Sequence, residues 1–221
     1  IHFLVGGTSA NKIVIAHALR PYEAVISVDT GHICVHETGA IEATGHKVIT
    51  VPNVNGKLTA LGVETLVKGH PDFHMVKPGI VYISNSTEYG TVYTKSELIS
   101  LSNVCKKHNL YFYIDGARLG CALTSKVCDY TIEEMASLCD AFYIGGTKNG
   151  LILGEALVVT NECLNEDIRY AIKCHGGMYA KGFVNGIMFN ELFSNNLFFD
   201  IAKQENELAK KLYNELKSLG V

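Results

Sequence analysis

The 221-residue chain has no excess of charge of either sign: 19 basic and 22 acidic residues leave a formal charge of −3. That balance argues against nucleic acid or an anionic membrane as its main partner. No apolar run is long enough to span a bilayer. The seven cysteines are odd in number, scattered and without a CxxC pair, so they read as reduced thiols of a cytoplasmic protein, not as a disulfide frame or a zinc site. His32 and His36 come closest to metal spacing, but no third ligand accompanies them, and no metal is expected. Internal repeats, low-complexity tracts and linkers are also missing.

What is present is a series of short apolar runs: 2–5, 24–28, 47–51, 80–84, 110–114, 141–145 and 156–160. Continuous apolar runs, unlike alternating ones, suit strands buried on both faces of a mostly parallel sheet. Helical patterns lie between them at 9–19, 36–44, 57–69, 96–108 and 131–138. This alternation predicts an α/β fold, a mostly parallel seven-stranded sheet with helices on both faces and right-handed crossovers. After residue 160 the strands stop. Residues 162–173, 179–193 and 196–219 read as helices. The division expected is a large domain over 1–160 and a helical continuation over 161–221. With the first strand at residue 1 and the last helix near the final residue, the chain is expected to be a segment of a longer polypeptide.

Asp140–Gly154 (DAFYIGGTKNGLILG) is the stretch around which the chain is organised. Its buried strand breaks on Gly145 and Gly146, and Thr147 and Lys148 follow. Desolvation at the end of such a strand disfavours a charged lysine, leaving a nucleophilic amine able to form a Schiff base. The plainer reading is a lysine in an ordinary loop. Gly6-Gly7-Thr8-Ser9-Ala10-Asn11 stands between a strand and a helix and can bind an anion on its free N–H groups. Its glycines fit neither a dinucleotide nor a P-loop pattern, and the alternative is that Thr8 or Ser9 is a helix cap. Asp115-Gly116-Ala117-Arg118 follows another strand. Asp115 can hold a ring nitrogen protonated and Arg118 can clamp a carboxylate, unless the two pair only with each other. His32 follows strand 24–28 and can stack on a flat aromatic ligand, with His36 one helical turn away. Ser86-Thr87-Glu88 occupies a further strand end, either a ligand contact or a simple turn.

In this order, phosphate turn, histidine, Asp-Gly-Ala-Arg and lysine, the chain resembles the pyridoxal-phosphate enzymes of the aspartate aminotransferase fold. More closely it is similar to the threonine aldolase and aromatic β-eliminating lyase family, over almost its whole length. YIDGARL is the most specific match, joined by GGTSAN, GHICVHETGA and GGTKNG. The resemblance implies pyridoxal 5'-phosphate as cofactor. Lys148 would carry the Schiff base, beside Thr147. His32 would stack over the ring, Asp115 face the pyridine nitrogen, and Gly7, Thr8 and Ser9 take the phosphate. Arg118 and Glu88 would meet the substrate. Glu88 stands where many threonine aldolases carry a histidine. Tyr179 stands where an arginine often reaches a neighbouring subunit's phosphate, with Lys181 as a substitute. The activity implied is cleavage of a β-hydroxy amino acid such as threonine to glycine and an aldehyde, by a homodimer or homotetramer with shared active sites. The alternatives are β-elimination from an aromatic or sulfur amino acid, and a non-catalytic α/β module that binds a phosphorylated ligand.

Overall fold

In a computed structural model that describes residues 1–220, the apolar runs become seven strands of one sheet. They are β1 (His2–Leu4), β2 (Glu23–Val28), β3 (Lys47–Val51), β4 (Lys77–Ser84), β5 (Tyr111–Asp115), β6 (Ala141–Gly145) and β7 (Glu155–Val159). Their order across the sheet is β1-β7-β6-β5-β4-β2-β3. β7 runs antiparallel to both neighbours, and the remaining pairs are parallel. β2 and β6 are buried at every position, the burial that continuous apolar runs require.

Ten helices cover the sheet among the described residues: α1 (Gly7–Ala18), α2 (His32–Val35), α3 (Ala60–Lys68), α4 (Lys95–Lys107), α5 (Leu119–Leu123), α6 (Ile132–Ala136), α7 (Glu162–Asn165), α8 (Ile168–Cys174), α9 (Phe183–Phe193) and α10 (Leu197–Ser218). Alternate strand residues serve two cores. Val25, Tyr82, Tyr113 and Tyr143 face α1, α7 and α8. Ile26, Val81, Phe112 and Phe142 face α3, α4, α6, α9 and α10. Thr94 and Thr131 start α4 and α6 with complete capping boxes, each closed by a glutamate three residues on, which satisfies two first-turn donors reciprocally. No described helix is long and apolar enough to cross a membrane.

Two expected helices are broken. Residues 36–44 yield only a 3₁₀ turn at Glu42–Thr44, because Thr38 and Gly39 turn the chain through positive φ of 53° and 71°. Asp167, at φ 58°, splits 162–173 into α7 and α8. The short α5 was not expected from the sequence.

Glycines bring β5 and β6 together at their C-terminal ends. Gly145 N–H donates to Gly116 O at 2.9 Å. A Cβ on Gly116 would collide with the Tyr143 carbonyl oxygen, and one on Gly145 with the Ala117 carbonyl. Backbone cannot step aside as a side chain can. Gly116→Ala is therefore expected to cost about 1–3 kcal/mol, read as a lower urea midpoint. An unchanged midpoint would show that the strands can part.

Candidate functional site

The parallel strands end on one edge of the sheet, where α1 also begins. α1 has Gly6 as its N-cap and no side-chain capping bond, so neither Thr8 nor Ser9 is the cap. The N–H groups of Gly7, Thr8 and Ser9 precede the first intrahelical bond, Ala10 N–H to Gly6 O, and are open to an acceptor. Gly7 has no room for a side chain, because a Cβ there would lie 2.5 Å from the Tyr143 hydroxyl. This terminus opens on a cavity of about 230 Å³ lined by Gly7, Thr8, His32, Ala117, Thr147 and Lys148 among others. A cavity of about 670 Å³ lies between the β3–α3 connection and α4. The charges lining it, Lys57 and Glu97, neutralise each other at 2.7 Å. The smaller cavity is the better site, because it gathers an amine, an imidazole and an open helix terminus.

Lys148 stands in a turn anchored on both sides. The Thr147 hydroxyl donates to Glu155 Oε1 at 2.7 Å, and Gly146 N–H to Glu155 Oε2 at 2.5 Å. Buried Asn149 donates its amide to Gly145 O at 2.6 Å. Lys148 itself is exposed, so the desolvation expected from its place after a buried strand does not mark it. What marks it is a rigid turn aimed at the cavity. Burial pushes the Glu155 carboxyl above 4.5, outweighing the bonds from Thr147 and Gly146. The folded chain then keeps a proton that the unfolded chain has lost, so this group's contribution to stability declines as pH rises from 4.5 towards the folded value. Glu155→Gln should flatten that decline in a stability–pH curve; a decline of wild-type steepness in the variant would exclude Glu155 as its source.

Asp115, 3% exposed at the end of β5, accepts four hydrogen bonds. Asn11 Nδ2 and the Tyr82 hydroxyl donate to Oδ2 at 2.9 and 2.7 Å. The Tyr143 hydroxyl and Ala117 N–H donate to Oδ1 at 2.5 and 3.0 Å. Burial, and then the Asp115 charge, raise the phenols of Tyr82 and Tyr143 well above their ordinary value, so both remain neutral donors. The carboxylate therefore has bonds but no cationic partner from the described residues. An Asp115–Arg118 pair does not form. Arg118 is exposed, without an ion pair among the described residues, one residue beyond the cavity wall at Ala117.

His32 opens α2 and is half-buried. Its Nδ1–H donates to Glu37 Oε1 at 2.9 Å, which leaves Nε2 as the bare nitrogen. The Glu37 bond raises the imidazole above 6.5, against the effect of burial, and the Asp115, Glu37 and Glu88 charges add to the rise. His36 is exposed; its ring lies 5.5 Å from that of His32 and is tilted, and the partner of His32 is Glu37. Glu88 accepts from the Ser84 hydroxyl at 3.2 Å. Ser9, Glu88, Arg118 and Asp115 do not line the cavity. Sequence reasoning missed Asn11, Glu37, Tyr82, Tyr143 and Glu155. The tyrosines carried one signal, a phenol on three consecutive strands at core-facing positions; the others carried none.

A family model described as beta-eliminating lyase matches residues 1–221. The low specificity L-threonine aldolase of Pseudomonas aeruginosa is 34% identical over 183 residues, 82% of this chain and 53% of that protein. The structure of the Leishmania major threonine aldolase superposes with a TM-score of 0.97 at 49% identity, covering 99% of this chain and 64% of that one. The aspartate aminotransferase of Thermus thermophilus, at 16% identity and a TM-score of 0.71, shares the fold. The chain thus spans about half the length of the curated relatives it matches.

Proposed function

The chain belongs to the beta-eliminating lyase family, and from that premise we propose that it bears the cofactor site of a pyridoxal-phosphate lyase that cleaves the Cα–Cβ bond of a β-hydroxy amino acid such as threonine, giving glycine and an aldehyde. The observation that carries the reading is the convergence of Lys148, His32 and the open terminus of α1 on one cavity.

The residues present fit the cofactor. The α1 terminus offers open N–H groups and a positive dipole end to a phosphate, and the missing side chain at Gly7 lets that terminus pack against the Tyr143 hydroxyl. Asp115 is a buried carboxylate without a cationic partner among the described residues, and a protonated ring nitrogen would supply one. Lys148 Nζ would make the covalent attachment. When bound, pyridoxal phosphate supplies an electron sink for a carbanion at Cα.

The chain's own groups then divide the remaining work. Asp115, its geometry fixed by four donors, favours a positive charge at the ring nitrogen. His32 presents Nε2 as the base for the β-hydroxyl proton. Its raised pKa places the acid limb of kcat/KM above 6.5, because the base must be neutral to act. Arg118, exposed and without an ion pair among the described residues, would take the substrate carboxylate. Val5 on the cavity wall is an exposed apolar side chain, as are Ile152, Phe183 and Ile187 elsewhere on the surface, which supports a homo-oligomer. Seven unpaired thiols support a reducing, cytoplasmic setting.

The test is to load the protein with pyridoxal phosphate, reduce with borohydride, map the labelled peptide and analyse products. Label on Lys148, with glycine and acetaldehyde formed from threonine, is the expected result. Pyruvate from cysteine or tryptophan, with threonine untouched, would replace cleavage by β-elimination. Neither colour nor label would leave a binding module.

A further inference from the structure

Glu37 takes no part in the cavity wall, yet it is among the most enclosed charges in the molecule, 5% exposed. The chain delivers it there by ending α2 at Val35 and then turning sharply through the positive φ of Thr38 and Gly39. Its Oε1 accepts from His32 Nδ1–H at 2.9 Å and from Asn11 Nδ2 at 2.7 Å. Asn11 is fully buried on α1. The same amide nitrogen donates to Asp115 Oδ2 at 2.9 Å, and Asn11 Oδ1 accepts from the Tyr113 hydroxyl at 3.0 Å. Both amide hydrogens of Asn11 are thereby spent on two carboxylates, and its oxygen is pinned. Ligand-capable atoms of His32, Glu37 and Asp115 all lie within 4.8 Å of one another.

An imidazole bonded through Nδ1 to a carboxylate must carry its proton on that nitrogen, since a carboxylate only accepts. Its other nitrogen is then fixed as the acceptor. We propose that Glu37 is the positioning residue of this site: it holds His32 as the tautomer with Nε2 bare and, through Asn11, locks the imidazole to the Asp115 carboxylate as one rigid unit. The use made of that unit rests on the function proposed above. The tautomer does not. A neutral amide in place of Glu37 would no longer hold the proton on Nδ1, and the tautomer protonated on Nε2 presents N–H where a base is needed.

The charged and titratable groups facing the His32 ring come from every side. They are Glu37 after α2, His36 at the end of α2, Asp115 at the end of β5 and Glu88 after β4, with Tyr143, Lys148 and Glu155 on the same cavity. Among them Glu37 alone bonds the ring directly, so removing its charge should move His32 most.

The experiment follows the ring nitrogens of His32 by ¹⁵N NMR across pH in the cofactor-loaded protein, in wild type, Glu37→Gln and Glu37→Asp. In wild type the proton should stay on Nδ1 at high pH, and the ring should titrate above 6.5. Glu37→Gln should lower the midpoint and mix the tautomers, and should reduce kcat about 10- to 100-fold with little change in KM. Glu37→Asp should recover part of each. An unchanged midpoint and tautomer in Glu37→Gln would overturn the proposal. Should that variant not fold, the wild-type spectrum still decides, because a proton on Nε2 at high pH excludes the assigned role. A protein that bound no pyridoxal phosphate would refute the functional reading, while the His32 tautomer would still test this one.

Discussion

Lys148→Ala will abolish borohydride-dependent attachment of pyridoxal phosphate and leave the fold intact. The two halves of this result have separate causes. The turn is held by its neighbours: Thr147 and Gly146 on Glu155, Asn149 on Gly145. Lys148 is exposed and bonds nothing among the described residues, so its loss should change stability by no more than about 0.5 kcal/mol, as for other surface positions. Removing the amine, by contrast, removes the one lysine nitrogen that the described residues bring to the cavity wall. Loss of a single acid–base group costs about 100- to 10,000-fold in rate, and here the covalent anchor goes too. Denaturation midpoint, visible absorbance and turnover should be measured together. A variant that still traps cofactor at another lysine would remove Lys148 from its assigned place.

Asp115→Ala should damage both stability and chemistry. It strands Asn11, Tyr82 and Tyr143, three donors buried around it. Each unsatisfied buried donor costs about 1–3 kcal/mol, so the total should be at least about 3 kcal/mol. Asp115→Asn keeps the volume but sets an NH₂ group against donors already in place, and its loss of stability should be only partly smaller. Neither variant can stabilise a cation at the ring nitrogen. Removal of one preorganised electrostatic group costs on the order of 100- to 1,000-fold in kcat, and both variants should fall at least that far. An Asn variant with wild-type kcat would show that the Asp115 charge plays no part in the reaction.

The backbone of this reading was visible in the residues. Continuous apolar runs mark strands buried on two faces, and all seven strands form where those runs lie. The close approaches at the C-terminal ends of the strands were visible too, because glycine interrupts a strand only for a reason: Gly7, Gly116 and Gly145-Gly146 each lie where a Cβ would collide with a neighbour. Helix boundaries were less legible where a single residue with positive φ, such as Asp167, cuts a periodic stretch.

Local order along the chain determined the fold class, the strand ends and the four motifs that meet at one edge, because burial and turn geometry are properties of short segments. The tertiary structure alone decided which groups surround those motifs. It showed that Lys148 is exposed in an anchored turn and not desolvated, that Asp115 is held by phenols from two neighbouring strands and not by Arg118, and that Glu37 supports His32 where His36 had seemed nearer. The phenols reach Asp115 from 33 and 28 positions away, and hydrogen bonds across such distances leave no periodicity in a sequence to read.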